Sequence, residues 1–114
     1  MNDKMVDMAI AHFSGAMQVW RGFQSGDYPG LAITPVARMN IKGAEEVPGR
    51  WQITHIKSGG AIGPSSENLD TLRMLAVELS AQCDFTQDAE PLLKDCKAAG
   101  IDYEWLKMRY DKFS

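Results

Sequence analysis

Apolar residues recur at helical spacing over residues 4–23. Val6, Ala9, Phe13, Ala16, Trp20 and Phe23 follow one another at steps of three and four, and Ile10 and Met17 widen the stripe. This spacing predicts an N-terminal helix. Ser14-Gly15 interrupts it, because glycine costs about 1 kcal/mol relative to alanine inside a helix. A hairpin turning at Ser14-Gly15 is the competing arrangement. The length of the stripe and its alanine- and methionine-rich flanks favour the helix.

The pattern then changes period. Ser25-Gly26-Asp27-Tyr28-Pro29-Gly30 is a turn. Beyond it Leu31, Ile33, Ala37 and Met39 alternate with Thr34, Val36 and Arg38, as a half-buried strand requires. Pro35 cannot donate to a ladder, which places this strand at a sheet edge or breaks it with a bulge. The polar stretch Asn40 to Gly49 reads as a long loop ending in Pro48-Gly49. In the next strand Trp51, Ile53 and His55 share one face, and Gln52, Thr54 and Ile56 the other. Ser58-Gly59-Gly60 predicts a tight hairpin turn, and Ala61-Ile62 begins a short return strand.

Three helices follow. Ser65 or Ser66 is the expected cap of the first, with Glu67 and Asp70 in its first turn. Leu69, Leu72, Leu75, Ala76 and Leu79 form its stripe, which runs to about Ala81. The next covers about Ala89 to Ala99, with Pro91 in its first turn and Gly100 as its stop. Asp102 caps the last, from Tyr103 to about Phe113, whose stripe is Leu106, Tyr110 and Phe113. The order predicts an α+β fold as one domain over residues 1–114. It comprises an N-terminal helix, a small antiparallel sheet of two or three strands, and three C-terminal helices packed on it.

With 45% hydrophobic and 24% charged residues, the composition is that of an ordinary globular domain. No apolar run reaches the length of a membrane span, and residues 1–5 lack the basic-then-apolar order of a signal peptide. A cytoplasmic location, with no membrane partner, is the expectation. The net charge of −3 is uneven. Residues 61–106 carry nine acidic and three basic side chains, whereas residues 21–60 carry five basic and three acidic. A nucleic-acid binder needs a basic face, and Arg38, Lys42, Arg50 and Lys57 on the sheet offer a modest one.

Few residues suggest catalysis. His55 sits mid-strand beside Thr54, and histidine is the commonest general base. No orienting carboxylate or nucleophile is adjacent in sequence, so a hydrogen bond to a backbone carbonyl explains it as well. His12 lies beside the first apolar stripe and reads as structural. The segment Gly59-Gly60-Ala61-Ile62-Gly63 lacks both the Gly-Lys-Ser/Thr ending and the spacing of a phosphate loop. Cys83 lacks the basic neighbour that a thiolate nucleophile needs, being followed by Asp84 and Asp88. Cys96 reads as a small core residue, and in a reducing compartment the two are expected as free thiols. Two cysteines and two distant histidines have no zinc spacing. No cofactor, no metal and no catalytic set is therefore expected.

Residues 92–106 loosely have the outline of a helix-turn-helix. A reading helix starting near Asp102 would present Asp102 and Glu104 to phosphates, and Arg109 stands where that motif takes an apolar residue. An ordinary helical hairpin fits better. The last helix is crowded with Tyr103, Trp105, Met108 and Tyr110, of which Trp105 and Met108 lie off the apolar stripe. Aromatic residues and methionine are enriched at interaction surfaces. A helix packed on two sides, or a homodimer seam, accounts for the same residues.

The run Leu31-Ala32-Ile33-Thr34-Pro35, and then Trp51-Gln52-Ile53-Thr54-His55-Ile56-Lys57-Ser58-Gly59-Gly60-Ala61-Ile62, resembles a pattern of small phage and prophage accessory proteins. Its form is W-x-I/V-T-H-x-x-S-G-x-A-I followed by a helix, and it covers roughly residues 31–80. The resemblance implies a hairpin–helix unit, carries no catalytic residues, and suggests a mobile-element protein that binds and blocks host machinery. The leading expectation is a non-enzymatic module that binds a bacterial host protein or complex, such as a CRISPR or other defence effector. Trp105, Met108, Arg109 and Lys112 would carry the binding, with Glu45 and Glu46 as a second edge. A nucleic-acid regulator using the basic sheet residues is the alternative, and a small enzyme using His55 the third.

Overall fold

The computed structural model describes residues 4–11, 17–40 and 43–114, with side chains over 21–36 and from 47 onward. Five strands come first: β1 (Lys4–Ala11), β2 (Met17–Gln24), β3 (Leu31–Asn40), β4 (Gly43–His55) and β5 (Ala61–Ser66). They form one antiparallel meander in the order β1-β2-β3-β4-β5. Helices α1 (Leu69–Gln82), α2 (Ala89–Ala98) and α3 (Tyr103–Phe113) follow.

The expected N-terminal helix is not there, and the sheet is larger than two or three strands. Residues 4–11 pair antiparallel with 17–24 in continuous register from Lys4↔Gln24 to Ala11↔Met17. The segment also carries a period of two that the helical stripe obscured. Met17, Val19 and Phe23 alternate with Gln18, Gly22 and Gln24, with Trp20 and Arg21 as the two exceptions. Short apolar stretches satisfy both periods, and pairing with β3 decides between them. Ser14-Gly15 and His12 lie outside the described residues.

Pro35 does not mark an edge, because β3 lies between β2 and β4. It marks a bulge. Pro35 pairs with Trp51 and Ala37 with Glu46, so Val36 alone stands opposite the four residues Val47–Arg50. Pro48-Gly49 falls inside this excursion, and Gly49 has the positive φ of +74° that the local turn requires. The expected loop over 40–49 is therefore mostly strand: Asn40 pairs with Gly43, and β4 runs on from there. The turn signal at Pro48-Gly49 is real, but it bends a strand instead of ending one.

A row of apolar residues crosses the sheet, with Phe23 opposite Ile33, Ile33 opposite Ile53 and Ile53 opposite Ile62. Against it α1 packs Leu72, Leu75, Ala76 and Leu79, all fully buried and at helical spacing. Tyr28, Phe85, Leu92 and Leu106 complete the core. Helix α3 lies against α1 and β5. Helix α2 contributes Leu92 as its one buried residue.

The caps follow local chemistry. Strand β5 continues to Ser66, so the α1 cap falls at Asn68, not at the expected Ser65 or Ser66. The Asn68 side chain accepts from the backbone N–H groups of Asp70 and Thr71 at 3.0 and 3.3 Å. Glu67 accordingly precedes the helix. Asp102 accepts from the Trp105 N–H at 2.8 Å, as expected for α3. Gly100, at φ +77°, ends the turn after α2.

Gly30 shows how tightly the sheet meets the α1–α2 connection. Its φ is +84°, and a Cβ there would lie 2.2 Å from the Phe85 carbonyl oxygen. Gly30→Ala is expected to destabilise the protein by more than about 2 kcal/mol in urea unfolding, through strain and backbone displacement together. Gly26→Ala, where a Cβ meets nothing within 4 Å, should stay within about 0.5 kcal/mol of the parent. Equal effects at the two positions would show that the close approach at Gly30 is absent in solution.

Candidate functional site

Helix α3 turns Leu106, Tyr110 and Phe113 inward. Residues three and four apart share a helix face, so Trp105, Met108, Arg109 and Lys112 form one contiguous strip beside that stripe. Their environments differ. Trp105 is half-buried and packs against the core. The Arg109 guanidinium lies 5.1 Å above its ring, a cation–π geometry, and reaches Glu78 of α1 at 3.3 Å. Met108 is 72% exposed, and Lys112 is also exposed. The strip is thus a half-sunk aromatic–guanidinium platform with a methionine and a lysine standing free beside it. Tyr103 is exposed too, on the flank of the same helix.

Glu78 connects this strip to α1, where Met74 and Val77 are exposed large apolar residues. Asp27, Arg73, Met74, Val77, Glu78 and Phe113 line a shallow cleft of about 480 Å³ between them. Neither the cleft nor Val77 was visible in the sequence as a site, because both sit on the solvent side of a helix whose opposite stripe dominates its pattern.

The second predicted edge lies elsewhere. Glu45 and Glu46 are on β4, at the register positions of Arg38 and Ala37. Arg38 and Glu45, taken from two different candidate sets, are therefore cross-strand partners in backbone register. Of the basic set, the side chains of Arg50 and Lys57 are described, and each meets groups of another element. Arg50 Nη2 donates to the Ser65 hydroxyl and carbonyl at 2.9 and 3.2 Å, and Nη1 stands 3.7 Å from Glu67. Lys57 is 3.7 Å from Asp88. Arg50 lies within β4, whereas Lys57 lies past its end, in the turn before β5. Lys42 lies outside the described residues.

His55 is 2% exposed and uses both ring nitrogens. Its Nε2 lies 3.0 Å from the Gln87 carbonyl, which can only accept, so Nε2 carries the proton. Nδ1 then accepts from the Ser58 hydroxyl at 2.7 Å. The Ser58 oxygen in turn accepts from the Gly60 N–H at 3.1 Å. The Phe85 ring meets the imidazole edge-on at a centroid distance of 6.5 Å. The histidine therefore joins the β4–β5 turn to the connection between α1 and α2. Among the described residues no carboxylate contacts either nitrogen, and both ring nitrogens are engaged within the chain. Beside it lies a mainly apolar cavity of about 340 Å³ among Leu79, Phe85, Leu92, Ile101 and Leu106.

Among the described residues no group of three or more His, Cys, Asp and Glu side chains could hold a metal ion. Among the same residues no helix is long and apolar enough to cross a membrane. Comparison with protein-family models, curated proteins and solved structures finds no match for the chain.

The two bonds of His55 set its energetic role. His55→Ala is expected to cost about 2–3 kcal/mol in urea unfolding, since it removes both hydrogen bonds of a buried imidazole and its ring packing. Ser58→Ala removes two hydrogen bonds, to His55 and from Gly60, and should cost about 1–2 kcal/mol. If His55→Ala left stability unchanged, the link between the turn and the helical connection would be refuted.

Proposed function

We propose that this protein is a non-enzymatic interaction module of phage or mobile-element type. It acts by stoichiometric binding to a bacterial host complex, with a defence effector such as a CRISPR complex as the target class. The observation that carries the reading is the outward face of α3. Met108 is 72% exposed next to the Trp105–Arg109 stack, and methionine, tryptophan and arginine are the residue types enriched at interaction surfaces. The resemblance of residues 31–80 to small phage accessory proteins supports the same class.

The face also describes its partner. Met108 is a flexible apolar anchor suited to an apolar pocket. Lys112 and the exposed edge of Arg109 suit carboxylates on the rim of that pocket. Trp105 acts from beneath, holding Arg109 in place, so its truncation would disturb folding as well as binding. The clean probe is Met108.

Met108→Ala is expected to weaken capture of the host complex by at least about 30-fold, the equivalent of a 2 kcal/mol hot spot, with unfolding unchanged. Lys112→Glu should slow association and make it less sensitive to salt. The measurement is tagged capture from nuclease-treated host lysate, followed by titration of the purified complex. Capture that survives Met108→Glu intact would remove α3 as the binding face. Capture lost on nuclease treatment would transfer the assignment to a nucleic-acid regulator using Arg38, Lys42, Arg50 and Lys57.

A further inference from the structure

The cavity of about 340 Å³ beside His55 lies where the β4–β5 turn, α1, the α1–α2 connection, α2 and α3 converge. Its floor is the core: Leu79 of α1, Leu92 of α2 and Leu106 of α3, all buried. Phe85 adds an aromatic wall. Its rim is exposed, and comes from Ser58, Gly60 and Ala61 on one side and from Leu93 of α2 on the other. The geometry points to a binding site for a small, uncharged aromatic molecule that carries one N–H or O–H donor, such as an indole or a phenol.

Volume, charge and exposure define this ligand. Pockets for small molecules start at about 300 Å³, and an apolar cavity of about 150 Å³ already holds benzene. Among the described residues the lining contains no Asp, Glu, Lys or Arg. A carboxylate or an ammonium entering it would lose its water with no opposite charge in exchange, so the site selects against ions. Phe85 gives an aromatic guest ring contacts that an aliphatic chain uses less well. Leu93 is 69% exposed, although Leu92 beside it is buried. A guest seated at the rim removes the Leu93 side chain from water, a gain the free protein does not make.

The donor follows from the hydrogen bonds at the rim. Both nitrogens of His55 are engaged, one by the Gln87 carbonyl and one by the Ser58 hydroxyl. Ser58 Oγ gives its proton to Nδ1 and accepts from the Gly60 N–H, which uses one of its two lone pairs. The other lone pair suits one incoming N–H or O–H. A donor fixed at Ser58 leaves the ring of the guest to cover the leucines.

The test titrates indole into the ¹⁵N-labelled full chain. Amide shifts should saturate at Gly60, Ala61, Gly63, Leu93 and Cys96, with a Kd on the order of 10⁻⁴ M for so small a ligand. Millimolar indole should raise the melting temperature by about 3 °C. Benzoate, which is charged, should give no saturable shifts. Ser58→Ala should weaken indole at least about 5-fold and leave indene, its isostere without the donor, unchanged. Ala89→Trp, at a half-buried position of the lining, should abolish binding by filling the cavity. Leu93→Glu, at an exposed position, should weaken it at least about tenfold with unfolding unchanged. The inference is overturned by the absence of saturable indole binding, by binding that survives both Ala89→Trp and Leu93→Glu, by Ser58→Ala weakening indole and indene equally, by saturable benzoate binding, or by a dimer that buries Leu93 in place of indole.

Discussion

The structure depends on one row of side chains. Phe23, Ile33, Ile53 and Ile62 lie at matched positions on four successive strands, and α1 lays its leucines over them. Strand register fixes that row, because a slip by one residue would turn the whole apolar set of a strand to the other face. With the row in place, the position of α1 is decided. α3 then has a ready groove between α1 and β5, and Leu106 fills it. Thr34 and Thr54, one residue along from Ile33 and Ile53, share a buried hydroxyl hydrogen bond at 2.9 Å on the opposite face. That bond discriminates against slipped registers, since a slip would strand two buried hydroxyls.

The site inherits its layout from this arrangement. Inward packing of Leu106, Tyr110 and Phe113 leaves Trp105, Met108, Arg109 and Lys112 no option but the adjacent face. Glu78 of α1 then meets Arg109 because α1 and α3 are neighbours, and the guanidinium is held over Trp105. Each of these contacts is a consequence of sheet register at one remove. The His55 bonds belong to the other end of β4. They secure the turn against Gln87, so the hairpin and the helical connection form one unit.

The sequence made the second half of this fold plain and the first half misleading. From Trp51 onward most elements have their own punctuation: Gly59-Gly60 for the turn, Pro91 and Gly100 for α2, Asp102 for α3. Local chemistry suffices for these, while the start of α1 is displaced to Asn68 by the pairing that carries β5 to Ser66. Residues 4–23 carry two periods at once, and only their partners in the sheet choose between them. Pro35 and Pro48-Gly49 were readable as interruptions, but not as one shared bulge, because that depends on which residues of β3 and β4 face each other. The α3 face was legible from helical spacing alone. The ion pairing of Arg50 and Lys57 was not, since their carboxylate neighbours Glu67 and Asp88 come from other elements.

Ser66 occupies an unusual junction. Its hydroxyl oxygen accepts from the Tyr110 phenol at 2.7 Å and from the Asn68 N–H at 2.9 Å. One oxygen atom therefore joins the end of β5, the start of α1 and the last turns of α3. Groups that share a single acceptor do not vary independently, and their substitution energies couple by roughly 0.5–3 kcal/mol. Positions 66 and 110 consequently behave as one mutational unit, whereas position 68 supplies a backbone N–H that any residue but proline provides. A change tolerated at 66 depends on what occupies 110, and sequences drifting under selection for this fold would have to move the two together.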